Sequence, residues 1–222
     1  MSEHNRELTA EKKIKKSLFL YAVTDRKYLN GRSLAWAVEE AIKGGATMLQ
    51  LREKNLAAGE FEAEAREIGA ICRAYRVPLL INDDVNLAAR VDADGAHIGQ
   101  SDMTAKEARK ILGAGKILGV SAVTVEQAKE AEAAGADYLG VGAMFATSTK
   151  ADADLVTLTA LREICAAVTI PVVAIGGITH DNIAQLKGSG IVGVAVVSAI
   201  FAADNIRAAA AELRERCVEF LG

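Results

Sequence analysis

The strongest constraint on this chain is a rhythm. Short apolar runs recur along its length, and each is followed by a stretch whose apolar residues fall at helical spacing. Residues 18–23, 47–51, 77–81, 95–99, 117–121, 137–142, 172–175 and 192–197 read as strands, being brief, rich in aliphatic residues and bounded by glycine, proline or polar residues. Between them lie helical patterns: one capped by Ser33 with Leu34, Ala37, Val38, Ala41 and Ile42 on one face, then 60–75, 85–89, 105–112, 125–134 capped by Thr124, 155–168, 183–187, and 205–221 with Asp204 as its cap. Eight strands each followed by a helix predict an α/β fold of the (β/α)8 type, a TIM barrel whose parallel sheet closes on itself and keeps no edge. An open doubly wound sheet is the competing architecture. Glycines at 44–45, 135 and 190, each just ahead of a strand, fit the left-handed ends of the preceding helices.

Nothing in the composition divides the chain. It has 222 residues, 51% of them hydrophobic, and only two prolines, Pro78 and Pro171, both at the start of an apolar run. With no linker-like tract, the reading is a polar, helical N-terminal arm at 1–16 and a single catalytic domain at 17–222. A net charge of −3 gives no footprint for nucleic acid. The lysines at 12, 13, 15 and 16 ahead of the apolar run at 18–23 imitate a secretion signal, but the run is short and Thr24-Asp25-Arg26 ends it without a small-residue cleavage site. No segment approaches the roughly 20 apolar residues of a membrane span. Three widely spaced cysteines, Cys72, Cys165 and Cys217, form neither a disulfide framework nor a zinc motif, so reduced thiols in a cytoplasmic protein are expected.

In a barrel the loops after the strands share one face and carry the chemistry. The second strand ends Gln50-Leu51-Arg52-Glu53-Lys54, and alternation places Gln50, Arg52 and Lys54 on one side as a grip for an anion, with pairing of the cations to Glu53 as the plainer alternative. The third ends Asn82-Asp83-Asp84 and the fourth Gly99-Gln100-Ser101-Asp102. Adjacent strands are about 5 Å apart, so Asp83 and Asp102 can reach one magnesium ion whose remaining positions go to waters and substrate phosphate. Capping of the next helix by Asp83 or Asp84 is the alternative. Ser121 can donate to a phosphate, and no His/Asp relay is visible beside it. Thr147-Ser148-Thr149-Lys150, in the longest strand-to-helix loop, reads as a phosphate clamp and lid. Gly176-Gly177 after the seventh strand and Val197-Ser198 after the eighth offer backbone N–H groups to a phosphate. His97 is expected to be a satisfied interior imidazole, His180 to be exposed at a helix start, and Trp36, Met48, Met103 and Met144 to lie in the core or a pocket wall.

Taken together, these segments resemble thiamin phosphate synthases, and the matching runs span the second to the eighth strand in order. The resemblance implies that Gln50, Arg52, Lys54, Asn82, Ser121 and Lys150 hold an aminopyrimidine diphosphate, with Arg52, Ser121 and Lys150 bearing on catalysis. It implies that Asp83 and Asp102 hold magnesium on the pyrophosphate, and that Thr147, Thr149, Gly177, Val197 and Ser198 cradle a thiazole phosphate. The implied reaction is displacement of pyrophosphate from the pyrimidine's methylene carbon by the thiazole nitrogen through a pyrimidine cation. Two departures stand out: Ala143 and Ala146 occupy positions where the family usually has proline, which predicts a freer loop. The same barrel also serves thiazole tautomerase-like isomerases, and a non-catalytic thiamin-phosphate sensor is a further alternative. The expected partners are these small molecules alone, with no nucleic acid or membrane. A homo-oligomer stays open.

Overall fold

The alternation within each apolar run decides which side chains fill the barrel and which meet the helices. The computed structural model describes residues 12–147 and 154–221. After a helical stretch at 12–17, the strands are β1 (Leu20–Val23), β2 (Met48–Leu51), β3 (Leu79–Asn82), β4 (Gly95–Ile98), β5 (Ile117–Ala122), β6 (Tyr138–Val141), β7 (Val172–Ile175) and β8 (Gly193–Val196). They hydrogen-bond in chain order into a closed barrel, β8 returning to β1 in parallel register with Tyr21 opposite Ala195. The open doubly wound sheet is excluded by that closure.

Outward residues such as Leu49, Leu51, Ile81, Leu118, Leu139 and Val194 are buried in one large core against the helices. Inward residues Leu18, Tyr21, Val23, Met48, Leu80, Tyr138, Val173 and Ala195 form a second, smaller core inside the barrel. Fully burying each of the leucine, valine, isoleucine and methionine side chains is worth about 1.5–3 kcal/mol, so the two cores commit the strands to one register.

The helices are α1 (Leu34–Lys43), α2 (Ala58–Tyr75), α3 (Val85–Arg90), α4 (Ala105–Leu112), α5 (Val125–Ala133), α6 (Leu158–Ala167), α7 (Ser198–Phe201) and α8 (Ile206–Leu221). Ser33 and Thr124 cap α1 and α5 as expected, accepting from the N–H groups of Trp36 and Gln127 at 3.2 Å each. Elsewhere the expected boundaries move. The helix predicted from residue 155 starts at Leu158 because Thr157 caps it, its Oγ1 accepting from Ala160 N–H, while Leu155 is exposed. The cap of α8 is Asn205, whose Oδ1 accepts from Ala208 N–H at 3.0 Å, and not Asp204. The helix predicted at 183–187 is a single tight turn, Ile183–Leu186. Trp36 is exposed, with the Arg32 guanidinium 5.6 Å above its ring, so it belongs neither to the core nor to a pocket wall.

Candidate active site

The inward-facing row of each strand, followed past its C-terminal end, leads into one cavity of about 480 Å³. Gln50, Arg52 and Lys54 enter it from β2, Asn82 and Asp83 from β3, Asp102 from the loop after β4, and Ser121 from β5. The loops after β6, β7 and β8 add Thr147, Gly177, Val197 and Ser198. The cavity thus gathers every one of the predicted site residues except Thr149 and Lys150, which with Ser148 lie outside the described residues.

The end of β2 is held by a residue whose role was not legible in the chain. Thr24, fully buried just past β1, donates its N–H to Gln50 O at 3.0 Å, and its Oγ1 accepts from Arg52 N–H at 2.9 Å. One threonine therefore sets the backbone on both sides of Leu51. The Arg52 guanidinium lies 3.6 Å from the Asp25 carboxylate. Glu53, which competes for these cations in the alternative reading, points the other way and pairs with Arg26, 3.2 Å away; Arg26 also meets Glu64. Burial, with Glu64 alongside, pushes the Glu53 carboxyl upward against the pull of Arg26.

The two aspartates divide the alternatives between them. Asp84 caps α3, its Oδ1 accepting from Leu87 N–H at 2.8 Å. Asp83 adopts a left-handed backbone, φ 63°, and donates its N–H to His97 O at 2.8 Å, turning its carboxyl into the cavity. Asp102 reaches back into the same space, its Oδ2 accepting from Gly99 N–H at 2.7 Å. Burial first, and then contact with and repulsion from Asp102, raise the Asp83 carboxyl to about 6, while Arg52 and Asn82 pull it down. Two carboxyls in contact, one of them desolvated, are a donor set that suits magnesium, which commonly takes one or two protein carboxylates and leaves its other positions to water and phosphate. Among the described residues no group of three or more His, Cys, Asp or Glu side chains could hold a metal alone.

On β5, the strand next to β4, Ser121 is not isolated. His97 Nε2 lies 3.0 Å from its Oγ, and His97 Nδ1 lies 2.8 Å from the Tyr138 hydroxyl. The imidazole is satisfied at both nitrogens, as expected of an interior histidine, but it also lines the cavity. No carboxylate orients it; a phenol does, and burial pushes it down to about 4 against a weaker pull from Asp102, so it is neutral at pH 7. An imidazole whose basicity burial has lowered that far, with a phenol and no carboxylate as its partner, is a poor general base, and the hydroxyl of Ser121 remains a hydrogen-bonding group. The pairing follows from the strand registers. His97 sits opposite Gly119 and Gly119 opposite Tyr138. A Cβ on Gly119 would fall 2.2 Å from the Tyr138 ring, so the missing side chain is the space through which Tyr138 reaches His97. His180 is exposed, as expected, with Nε2 3.2 Å from Asp181.

The remaining rim is backbone. Gly177, φ 64°, lies against the carbonyls of Phe145 and Ala146, where a Cβ would come within 2.6 Å of both. Asn182 ties this turn down, donating to Gly177 O and accepting from Thr179 N–H, both at 2.8 Å. At the base of the β6 loop, where the missing prolines predict more freedom, the chain is hydrogen-bonded. Met144 and Phe145 donate to Ile175 O and Gly176 O at 3.0 Å, and Ala143 N–H, which a proline would lack, donates to Asp154 O at 3.2 Å. The first N–H groups of α7 have no carbonyl one turn back to bond, and they begin at Ser198 on the rim.

Comparison with known proteins meets this geometry from another direction. A family model described as thiamine monophosphate synthase matches residues 20–200. The chain is 51% identical over 195 residues to a thiamine-phosphate synthase of Clostridium novyi, covering 87% of this chain and 96% of that protein. It is 52% identical over 195 residues to one of Alkaliphilus oremlandii, covering 88% and 93%. Among solved structures, the thiamine phosphate pyrophosphorylase of Pyrococcus furiosus superposes with a TM-score of 0.87 at 40% identity, over 94% of this chain and 100% of that one.

Proposed function

The chain belongs to the thiamine monophosphate synthase family, and from that premise we propose how its barrel mouth carries out the family's transfer. It is a transferase: hydroxymethylpyrimidine diphosphate condenses with thiazole phosphate to give thiamin phosphate and pyrophosphate. In the proposed mechanism the bond between the pyrimidine's methylene carbon and the pyrophosphate oxygen breaks, the electron pair leaving with the oxygen. The thiazole nitrogen then donates its lone pair to that carbon.

Every protein group in this reading binds, orients or stabilises charge. Gln50 and Ser121 fix the aminopyrimidine ring, and Arg52, Lys54 and Asn82 face the diphosphate, where fixed cations and donors meet the negative charge that grows as the bond breaks. Asp83 and Asp102 would hold magnesium, whose contribution when bound is to neutralise the leaving pyrophosphate. The N–H groups around Gly177, Val197 and Ser198, with Thr147, would receive the thiazole phosphate. The low basicity of the buried His97, with a phenol at its Nδ1, supports a reaction that needs no nucleophilic side chain. The observation that carries this reading is the convergence of the Asp83 and Asp102 carboxyls beside Arg52 in the cavity that Ser121 and Gly177 also line.

No helix among the described residues is long and apolar enough to cross a membrane. Cys72, Cys165 and Cys217 are unpaired thiols, each raised by burial, which supports a cytoplasmic site of action. The test is incubation of the protein with both phosphorylated halves and magnesium. Thiamin phosphate and pyrophosphate appearing in equal amounts is the expected result. Isomerisation of a thiazole carboxylate in place of condensation, or binding of thiamin phosphate with no pyrophosphate released, would overturn it.

A further inference from the structure

Across the barrel floor runs an unbroken chain of polar contacts. Gln50 Nε2 donates to the Tyr21 hydroxyl at 2.6 Å, the Tyr21 and Tyr138 hydroxyls are 3.0 Å apart, Tyr138 meets His97 Nδ1 at 2.8 Å, and His97 Nε2 meets Ser121 Oγ at 3.0 Å. Tyr21 is 1% exposed, Tyr138 0%, Gln50 3% and His97 9%, so although Tyr21, Gln50 and His97 border the cavity, little solvent competes with these neighbours. Buried O–H groups must find acceptors. The direction of every bond can therefore be derived from one end.

An amide nitrogen only donates, so the single Tyr21 hydrogen goes to its other neighbour, the Tyr138 oxygen. Tyr138 then has one acceptor in reach, His97 Nδ1, which must be unprotonated. A neutral imidazole that accepts at Nδ1 carries its hydrogen on Nε2, and that hydrogen goes to Ser121 Oγ. The Ser121 hydrogen is left to point into the cavity. Turning the Gln50 amide over, so that its oxygen accepts from Tyr21, reverses each of these bonds and directs the Ser121 hydrogen onto His97 instead.

We propose that Tyr21, Tyr138 and His97 form a directional relay, set by the Gln50 amide, that presents Ser121 to the ligand as a hydrogen-bond donor. Gln50 and Ser121 line the cavity in which the proposed function seats the pyrimidine, so the relay rests on that reading for its purpose. Its existence does not. Tyr138 is a positioning residue, absent from the cavity lining and acting through His97 and Ser121.

The test is the nitrogen NMR spectrum of His97, assigned by loss of its signals in His97→Asn, in ligand-free protein at mildly alkaline pH. Wild-type protein is expected to show Nε2 protonated and Nδ1 bare. Gln50→Glu, whose carboxylate can only accept from Tyr21, is expected to move the proton to Nδ1. In Gln50→Glu combined with Tyr138→Phe that shift disappears, because the wire is cut. A wild-type proton on Nδ1 overturns the proposal without any variant. So does a Gln50→Glu shift that survives loss of the Tyr138 hydroxyl, or a Gln50→Glu protein whose tautomer does not change. In turnover, Tyr138→Phe is expected to lower kcat/KM about tenfold, and to add nothing to Ser121→Ala. Additive losses would mean a purely structural tyrosine. An inactive wild-type protein would count against the proposed function and leave the spectroscopic test standing.

Discussion

At the scale of single residues, Asp83 shows a site held against the interests of the fold. Its left-handed backbone costs roughly 1–3 kcal/mol in a non-glycine residue, and its carboxyl is raised from 3.8 to about 6 by burial and by Asp102. Between those two values the folded protein binds a proton more tightly than the unfolded chain, so stability falls as pH rises through the interval and stays lowered above it. Asn tolerates the left-handed region and carries no charge. Thermal melts of metal-free Asp83→Asn should match wild type below pH 3.8 and exceed it above about 6. A variant that is less stable at pH 7 would show that the Asp83 carboxylate is stabilising after all. Half of this was legible in the chain: alternation along β2 and β3 puts Gln50, Arg52 and Asn82 toward the mouth, and Ser121 stands at the end of the fifth strand. Tyr21, His97 and Tyr138 were not, because a polar group inside an apolar strand looks like core until the register of its neighbours is known. Gly119 and Gly140 were the available signal, since small inward positions mark where large neighbours must go.

At the scale of elements, the short helix α7 depends on a residue far away in sequence. The Arg32 guanidinium donates to Phe201 O at 3.1 Å and Ala203 O at 2.9 Å at the far end of that helix, and to Tyr28 O and Leu29 O in the loop after β1. A cation on the C-terminal carbonyls stabilises a helix and fixes where its first turn sits. Arg32→Ala should lower stability by about 2 kcal/mol in denaturant unfolding. If α7 receives the thiazole phosphate, the same variant should raise the KM for that substrate more than the KM for the pyrimidine. Equal changes would detach Arg32 from the phosphate end of the site. Helix existence was legible here and helix ends were not: the 155–168 pattern is apolar from Leu155, yet the Thr157 cap sets the start, and Asn205 outcompetes Asp204 by one position.

At the scale of the whole molecule, closure of the barrel turns residues scattered along the sequence into one rim, and the interior layer beneath determines how firmly that rim is held. Gly119 is the weak point of that layer. Gly119→Ala would drive a methyl into the Tyr138 ring, and overpacking of this kind costs about 1–3 kcal/mol. Unfolding curves should show that loss together with a fall in kcat, because Tyr138 cannot move without releasing His97; wild-type kcat in the destabilised protein would separate the floor of the barrel from its mouth. In the proposed reaction the rim itself joins two carboxyls and a row of cations to drive off a pyrophosphate. Its most direct measurement is pyrophosphate release during magnesium titration, for wild type and for Asp102→Ala, each with a circular dichroism spectrum to certify the fold. A saturating magnesium response in wild type that is lost in a folded Asp102→Ala protein is the predicted result, and a folded variant that keeps the wild-type response would contradict the account.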